Sequence, residues 1–207
     1  VISVMARRAH PYPSHERDHA RAERHGFRDQ SMDRYGEDPA FRHAMDNRTQ
    51  KERPCRTLFV RNVSYQVGEN DLRQAFEEYG EIRKIFNLVE KRGMAFVSYH
   101  DIRAAHRAKV AMQDRELKNR PLDVHYSLPR EGDAASRFAD EDDQNNGTVF
   151  VRFKGKQAPS LQDVRHFFER FGPINEVRDC RGNPGQKFIE YYDLRHANDA
   201  VIETNGK

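Results

Sequence analysis

An internal repeat constrains this 207-residue chain more than any other feature of its sequence. The segment FVSYHDIRAAHRA, residues 96–108, returns as FIEYYDLRHANDA, residues 188–200, at an offset of 92 positions (188 − 96 = 92). Tyr79 and Phe171 keep the same offset. A repeat this consistent predicts two copies of one supersecondary unit, each with a core of its own.

The first copy switches between strand-like and helix-like patterns. Apolar residues recur at helical spacing in residues 68–82 and again from Asp101 to Met112. Branched and aromatic residues alternate with polar ones in the other segments, as expected of half-buried strands. The resulting order β-α-β-β-α-β predicts an α+β fold, the ferredoxin-like sandwich. The four predicted strands cover residues 57–63, 82–89, 94–99 and 120–128.

The second copy repeats this order but ends early. Residues 148–153 match the first strand, and Ser160 with Asp163 forms a capping box before a helix. After its second helix the chain reaches Lys207 without a counterpart of the fourth strand. We therefore expect an unpaired sheet edge in this copy. Since the chain begins at Val1, we also expect it to be a segment of a longer protein.

Polar sequence surrounds the two copies. With 36% hydrophobic and 33% charged residues, the chain is too polar for one continuous core. No apolar run approaches the roughly 20 residues that a membrane-spanning helix needs. The two cysteines are distant in sequence and suggest no disulfide framework. We expect a disordered arm at residues 1–54, a first domain at 55–128, an acidic flexible linker at 129–147 and a second domain at 148–207.

Residues 92–99, RGMAFVSY, match seven of the eight positions of the RNA-recognition-motif octamer K/R-G-F/Y-G/A-F-V-x-F/Y. They depart from it only at Met94, where the motif has an aromatic residue. Such motifs stack bases on aromatic side chains of an open sheet face. Because side chains alternate along a strand, Leu58 and Val60 are expected to face the helices instead. The residues expected on the open face, and therefore to contact RNA, are Phe59, Arg61, Phe86, Arg92, Met94, Phe96 and His125.

Two members of this set leave alternatives open. Phe86 is interpreted either as an additional stacking platform or as a partly buried residue. His125 either reaches the open face from the fourth strand or stays off it. Asp123 beside it would be unfavourable to phosphate there.

The second copy keeps only part of the signature. Phe150 and Arg152 take the outward positions of its first strand, and Phe188 survives in its octamer, residues 184–191. In that octamer a proline replaces the basic residue, a glutamine replaces the aromatic one, and Lys187 takes an inward position. We expect Phe150, Arg152 and Phe188 to contact RNA. Weak RNA binding, orientation of the pair and protein binding stay alternative roles for this copy.

Several segments resemble the Mei-two-like proteins of fungi and plants. The combination YxDIRAA followed by LDVHYSLP is more specific than the generic octamer. The likeness covers residues 56–207 and corresponds to the first two RNA-recognition motifs of that family. It implies an RNA-binding regulator of meiosis or differentiation, in a family whose third, C-terminal motif is absent from this chain. The matching segments are CRTLFVRNV (55–63), FVSYHDIRAAHRA (96–108), PLDVHYSLP (121–129) and KFIEYYDLRHA (187–197).

Single-stranded RNA binding is the function that these patterns favour, by a monomer in the nucleus or the cytoplasm. A protein-interaction module of the same fold is the alternative, above all for the second domain. An enzyme is not expected, because the sequence has no Gly-rich phosphate loop, no metal-ligand cluster and no paired nucleophile and base. No metal, other cofactor or membrane partner is predicted.

Overall fold

Two four-stranded antiparallel sheets, each packed against two helices, make up the computed structural model. The structure describes residues 7–8, 52–127, 145–153 and 158–205. The predicted disordered arm and the predicted flexible linker lie mostly outside these ranges. No described helix is both long and apolar enough to cross a membrane.

The elements follow one another in the predicted order within each copy. The strands are β1 (Arg7–Arg8), β2 (Thr57–Arg61), β3 (Ile82–Leu88), β4 (Met94–Tyr99), β5 (Glu116–Leu117), β6 (Arg120–Pro121), β7 (Asp123–Tyr126), β8 (Thr148–Arg152), β9 (Ile174–Cys180) and β10 (Asn183–Tyr191). The helices are α1 (Glu69–Glu77), α2 (Val89–Arg92), α3 (Ile102–Met112), α4 (Leu161–Phe168), followed by a 3-10 turn (Glu169–Phe171), and α5 (Leu194–Thr204).

The first sheet has the strand order β3-β4-β2-β7 and packs one face against α1 and α3. Alternation along β2 sends Leu58 and Val60 to that face, where both are fully buried. They share one core cluster with Phe76 of α1 and Ala105 of α3. The predicted ferredoxin-like sandwich is confirmed for this copy.

Two segments of the first copy differ from the sequence prediction. The strand predicted to run through Val89 ends one residue earlier, and α2 fills the connection to β4. The predicted fourth strand divides in two, since β5 and β6 pair as a separate hairpin and only β7 joins the sheet. Lys118 and Asn119 turn this hairpin with φ angles of 48° and 65°. A two-residue turn with positive φ at both positions matches the twist of the flanking strands.

The second sheet has the order β1-β8-β10-β9 and repeats the arrangement of the first. The edge of β8 was expected to be unpaired, but β1 occupies the position that β7 has in the first sheet. Arg7 pairs with Phe150 as His125 pairs with Phe59. Backbone groups at a sheet edge accept any extended segment, so this pairing needs no strand-like sequence pattern.

A buried tyrosine ties each sheet to the helix that follows its first strand. The Tyr99 hydroxyl donates to the Phe76 carbonyl oxygen at 2.8 Å, and the Tyr191 hydroxyl donates to the Phe168 carbonyl oxygen at 2.9 Å. Burial raises the pKa of both phenols. The sequence repeat is therefore also a repeat of buried hydrogen bonds.

The two copies also contact each other directly. Asp101, before α3, and Asp193, before α5, form an antiparallel backbone bridge. The neighbouring residues exchange hydrogen bonds across it. We refer to residues 100–102 and 192–194 together as the interdomain bridge.

Candidate nucleic-acid interface

Three phenylalanine rings cross the open face of the first sheet. Phe59 of β2 is the cross-strand neighbour of Phe96 of β4, and Phe96 is opposite Phe86 of β3. The Phe59 and Phe96 rings stack with centroids 4.9 Å apart, and the Phe86 and Phe96 centroids lie 6.4 Å apart. Residues opposite each other on adjacent strands share a face of the sheet. The strand register therefore aligns these three residues, which we call the aromatic row.

Solvent exposure rises along the aromatic row. Phe59 is 6% exposed, Phe96 is partly exposed and Phe86 is 54% exposed. Phe59 lies on the predicted face, apart from the core cluster of the first sheet, but it is not exposed as the sequence predicted. The reason is its central strand, which places Phe96 on one side of it and His125 on the other. Phe86, for which burial was the alternative, is the exposed end of the row.

Met94 and Arg92 lie at the start of β4. Met94 is partly exposed and two residues from Phe96, hence on the same face. Arg92 is exposed but is the last residue of α2, and Gly93 caps that helix with φ 59° in the left-handed region. Strand alternation, which predicts Arg92 on the open face, does not apply to this residue because the connection before β4 folds as a helical turn.

Acidic side chains engage the basic groups of β2 and β7. Arg61 Nη1 lies 3.3 Å from an Asp123 carboxylate oxygen. His125 lies between two carboxylates, with Nε2 2.8 Å from Asp123 Oδ1 and Nδ1 2.5 Å from Glu52 Oε1. A phosphate that approaches Arg61 or His125 must therefore compete with carboxylates already in place.

These contacts shift the pKa values of both partners in β7. The hydrogen bond to Asp123 raises the pKa of His125, with a further contribution from Glu52, although burial opposes the shift. The same hydrogen bond lowers the pKa of Asp123 below its usual range. His125 does lie beside Phe59 in the sheet, but both of its ring nitrogens are engaged by carboxylates.

The second sheet carries a shorter aromatic pair. Phe150 of β8 and Phe188 of β10 are cross-strand neighbours with ring centroids 5.3 Å apart, and both are partly exposed. The Arg178 guanidinium lies 5.1 Å from the centre of the Phe188 ring. Arg152 is exposed at the end of β8, opposite Gln186. The structure thus brings the three predicted residues of this copy to one sheet and adds a fourth.

Comparisons with known proteins agree with this geometry. A family model for the RNA recognition motif matches residues 58–123. Protein MEI2-like 2 of Oryza sativa subsp. japonica is 38% identical over 154 residues, which cover 74% of this chain and 17% of that protein. Protein MEI2-like 3 of Arabidopsis thaliana is 38% identical over 154 residues, which cover 74% of this chain and 19% of that protein. The chain is an RNA-recognition-motif protein of the MEI2-like family.

The MEI2-like chain spans less than a fifth of the length of these two relatives. Among solved structures, the RRM domain of S. pombe Puf1 is 25% identical and aligns with a TM-score of 0.32 over 36% of the MEI2-like chain and 99% of that domain. The RNA recognition motif is a binding module, and the family is not enzymatic.

The sequence analysis did not identify Tyr65 and Arg178, which lie near the aromatic surfaces of the MEI2-like chain. Tyr65 is 49% exposed in the loop after β2, and its ring lies beside Gly93 at the start of β4. The Arg120 guanidinium lies 6.0 Å from the centre of this ring and donates to Asn62 Oδ1 at 2.9 Å. A loop residue has no periodicity, so no pattern marks Tyr65. Arg178 could have been found, because its strand register places it opposite Phe188.

The remaining reactive groups of the described residues point to structural roles. Burial raises the pKa of the Cys55 thiol, which makes it a poor nucleophile. Within the described residues no cluster of His, Cys, Asp and Glu is arranged to hold a metal ion.

Proposed function

We propose that this MEI2-like chain binds single-stranded RNA by stacking bases on the aromatic row of its first motif. The observation that carries this proposal is the gradient of exposure from Phe59 to Phe86 on one sheet face. The exposed Phe86 ring and the partly exposed Phe96 ring offer π faces to bases. The buried Phe59 ring supports Phe96 from the neighbouring strand, with ring planes 24° apart.

Stacking supplies most of the affinity in this proposal. Each stacked base contributes roughly 1–3 kcal/mol by alanine substitution. Arg61 is paired with Asp123, so phosphate contacts fall to the exposed Arg92 beside Met94. The RNA affinity should consequently fall only modestly with salt, since the slope follows the number of phosphates neutralised.

The test is RNA binding by the Phe86→Ala/Phe96→Ala double variant. Randomised single-stranded RNA titrated against the full chain, followed by fluorescence anisotropy, should show loss of most of the affinity. Phe167→Ala is the matched control, because Phe167 is an exposed phenylalanine on α4 of the second motif. Unchanged affinity in the double variant would rule out the aromatic row as the binding surface.

The second motif contributes a weaker RNA contact in this proposal. The aromatic pair Phe150 and Phe188, with Arg178 over Phe188, supports it. Phe150→Ala/Phe188→Ala should lower the affinity less than the double variant of the first motif does. If the affinity for RNA does not change at all, the second motif is better explained as a protein-interaction module.

We further infer that RNA binding serves post-transcriptional regulation in meiosis or differentiation, in the nucleus or the cytoplasm. The resemblance to Mei-two-like proteins supports this role. Crosslinking of the protein to cellular RNA should recover a reproducible set of transcripts, and Phe86→Ala/Phe96→Ala should lose that set. Recovery of the same transcripts by the double variant would contradict the inference.

A further inference from the structure

The interdomain bridge joins equivalent positions of the two copies. The Ile102 amide donates to the Tyr192 carbonyl oxygen at 3.0 Å, and the Leu194 amide donates to the His100 carbonyl oxygen at 3.1 Å. Ile102 corresponds to Leu194, and His100 to Tyr192, by the repeat offset (194 − 102 = 92, 192 − 100 = 92). A local twofold rotation therefore exchanges the two hydrogen bonds, as in an antiparallel pair of strands.

Arg56 adds a second connection beside the bridge. Its guanidinium donates to three carbonyl oxygens of the second copy and of the segment that leads into it: Asn146 at 2.7 Å, Tyr191 at 2.6 Å and Tyr192 at 3.1 Å. The Arg56 carbonyl oxygen accepts from the Tyr99 amide at 2.9 Å, which holds this residue in the first sheet. One side chain thus spans the two sheets.

The surroundings of Arg56 are shaped for its guanidinium. Burial lowers the pKa of Arg56, and the nearby carboxylates of Glu190, Asp101 and Asp193 oppose that shift. A side chain at position 147 would collide with the guanidinium, and Gly147 has φ 81° in the left-handed region. The planar guanidinium holds five N–H donors in a fixed fork that matches several backbone carbonyls at once, whereas the Lys ammonium has three donors and no such fork.

Charged groups extend the contact on both sides. Arg195 of the second copy donates to Glu81 of the first at 2.5 Å. The Arg103 guanidinium of the first copy lies 4.4 Å from the centre of the Tyr192 ring of the second. Each arginine also bonds the aspartate that caps its own helix, Asp193 or Asp101. The contact between the copies is therefore a set of directional hydrogen bonds, which define one relative orientation.

We infer that Arg56 is a positioning residue that fixes the orientation of the two sheets, so that both motifs meet RNA as one rigid unit rather than as two tethered domains. The inference rests on the proposed function for its RNA-binding consequence. Phe96 and Phe188 each precede their bridge aspartate by five residues (101 − 96 = 5, 193 − 188 = 5). Each Cα therefore lies at most about 18 Å from the bridge. A fixed bridge holds the two aromatic surfaces at one separation, which reduces the entropy lost when an RNA contacts both.

The test uses the full chain without RNA first. Residual dipolar couplings of backbone amides should fit one alignment tensor for both motifs in the unmodified protein. Arg56→Ala should require two separate tensors, while the amide chemical shifts inside each sheet stay in place. Arg73→Ala is the control, since Arg73 is a partly exposed arginine of α1 that pairs with Glu69 on the same helix. A single common tensor in Arg56→Ala, or two tensors in the unmodified protein, would overturn the inference.

Ile102→Pro provides an independent variant. Proline at the first residue of α3 removes the amide that donates to Tyr192, and this helix position tolerates proline. The residue before it, Asp101, already has the extended backbone that proline requires, with ψ 127°. Leu161→Pro makes the same change at the first residue of α4. In Ile102→Pro the residual dipolar couplings of the two motifs should fit one common tensor less well. In Leu161→Pro they should fit it as well as in the unmodified protein.

RNA binding then tests the functional part. A randomised RNA short enough for one sheet should bind Arg56→Ala and the unmodified protein equally. A longer RNA that reaches both sheets should bind Arg56→Ala several-fold more weakly. Separated tensors with unchanged affinity for the long RNA would overturn the positioning role. Failure of the unmodified protein to bind either RNA would overturn only the proposed function, because the tensors are measured without RNA.

Discussion

The rings of Phe59 and Phe96 stack across β2 and β4 with their planes 24° apart, yet only Phe96 remains partly exposed. Two phenylalanines in the same sequence motif therefore have different physical roles. Phe59 is packed between neighbouring strands and contributes to folding. Phe96, with Phe86 beyond it, forms the surface that a base can reach.

Phe86→Ala is expected to weaken RNA binding and leave folding intact. The exposed ring should contribute about 1–3 kcal/mol to binding, while exposed positions change the free energy of unfolding by less than about 0.5 kcal/mol. Phe59→Ala should instead lower the free energy of unfolding by about 3 kcal/mol, as for a packed aromatic residue. Urea unfolding and RNA titration of both variants check this division. Similar losses of stability in the two variants would contradict it.

Tyr99→Phe and Tyr191→Phe are expected to destabilise their own motifs by similar amounts. Each change removes a buried hydroxyl that donates to a helix carbonyl, Phe76 or Phe168. The expected cost is about 1–2 kcal/mol, since the carbonyl oxygen loses a partner without access to water. Amide hydrogen exchange resolves the two motifs, and Tyr65→Phe is the exposed control. No loss of protection in either motif would show that these hydroxyls are not structural.

His125 should make the stability of the first motif depend on pH. Because its pKa is raised in the folded state, its stabilising contribution is fully present below the unfolded value of about 6.5 and is lost as the pH rises through the folded pKa. The lowered pKa of Asp123 acts in the opposite direction. Its contribution is present above about pH 3.9 and is lost as the pH falls through the folded pKa.

The measurement is urea unfolding of the unmodified protein and His125→Gln across this pH range. The difference in unfolding free energy between them should be largest between about pH 4 and 6.5 and should shrink in alkali. Arg61 pairs with Asp123, and Lys109 lies 3.7 Å from Glu52. Both pairs are retained in His125→Gln, so neither accounts for the difference between the two proteins. A constant difference across the range would exclude the ion pairs of His125 as its source.

Lys187→Met is expected to leave the second motif as stable as before or more stable. Lys187 is buried at the position of Ala95 in the first motif, and its ammonium bonds the Asp179 carboxylate on the adjacent strand. Hydrophobic replacement of a buried ion pair is often neutral or stabilising. Asp179→Ala should lower the free energy of unfolding of the second motif by about 1–3 kcal/mol, because the buried Lys187 ammonium loses a carboxylate partner. The loss is limited because water can reach the half-exposed side of this pair. Urea unfolding of both variants distinguishes them, and a strongly destabilised Lys187→Met would refute this view.

The sequence was most informative where one face of an element meets the core. Leu58 and Val60 alternate with Phe59 because the sheet has helices on one side, and this alternation located the aromatic row. The burial of Phe59 could not be predicted, since it depends on which residues of β4 and β7 lie opposite it. The helical turn that carries Arg92 could not be predicted, because α2 has four residues, too few to show a helical period.

The contacts between distant parts of the chain could not be predicted from patterns in the sequence. Arg56 bonds carbonyl oxygens at positions up to 136 residues away, and carbonyls carry no sequence identity. The pairing of β1 with β8 is likewise a backbone interaction. The periodicity within each copy therefore predicts each sandwich, whereas the backbone hydrogen bonds by which the two sandwiches meet involve atoms that every residue shares.

The backbone character of the interdomain bridge has an evolutionary consequence. A junction made of N–H and C=O groups tolerates nearly any side chain except proline at a donor position. The two copies indeed carry different residues at one equivalent position of the bridge, His100 and Tyr192. A stacking surface, in contrast, is lost one aromatic residue at a time. Following duplication of an ancestral unit, the junction can persist while one octamer drifts. The octamer of the second copy has changed in this way, with Pro184 and Gln186 where the first copy has Arg92 and Met94.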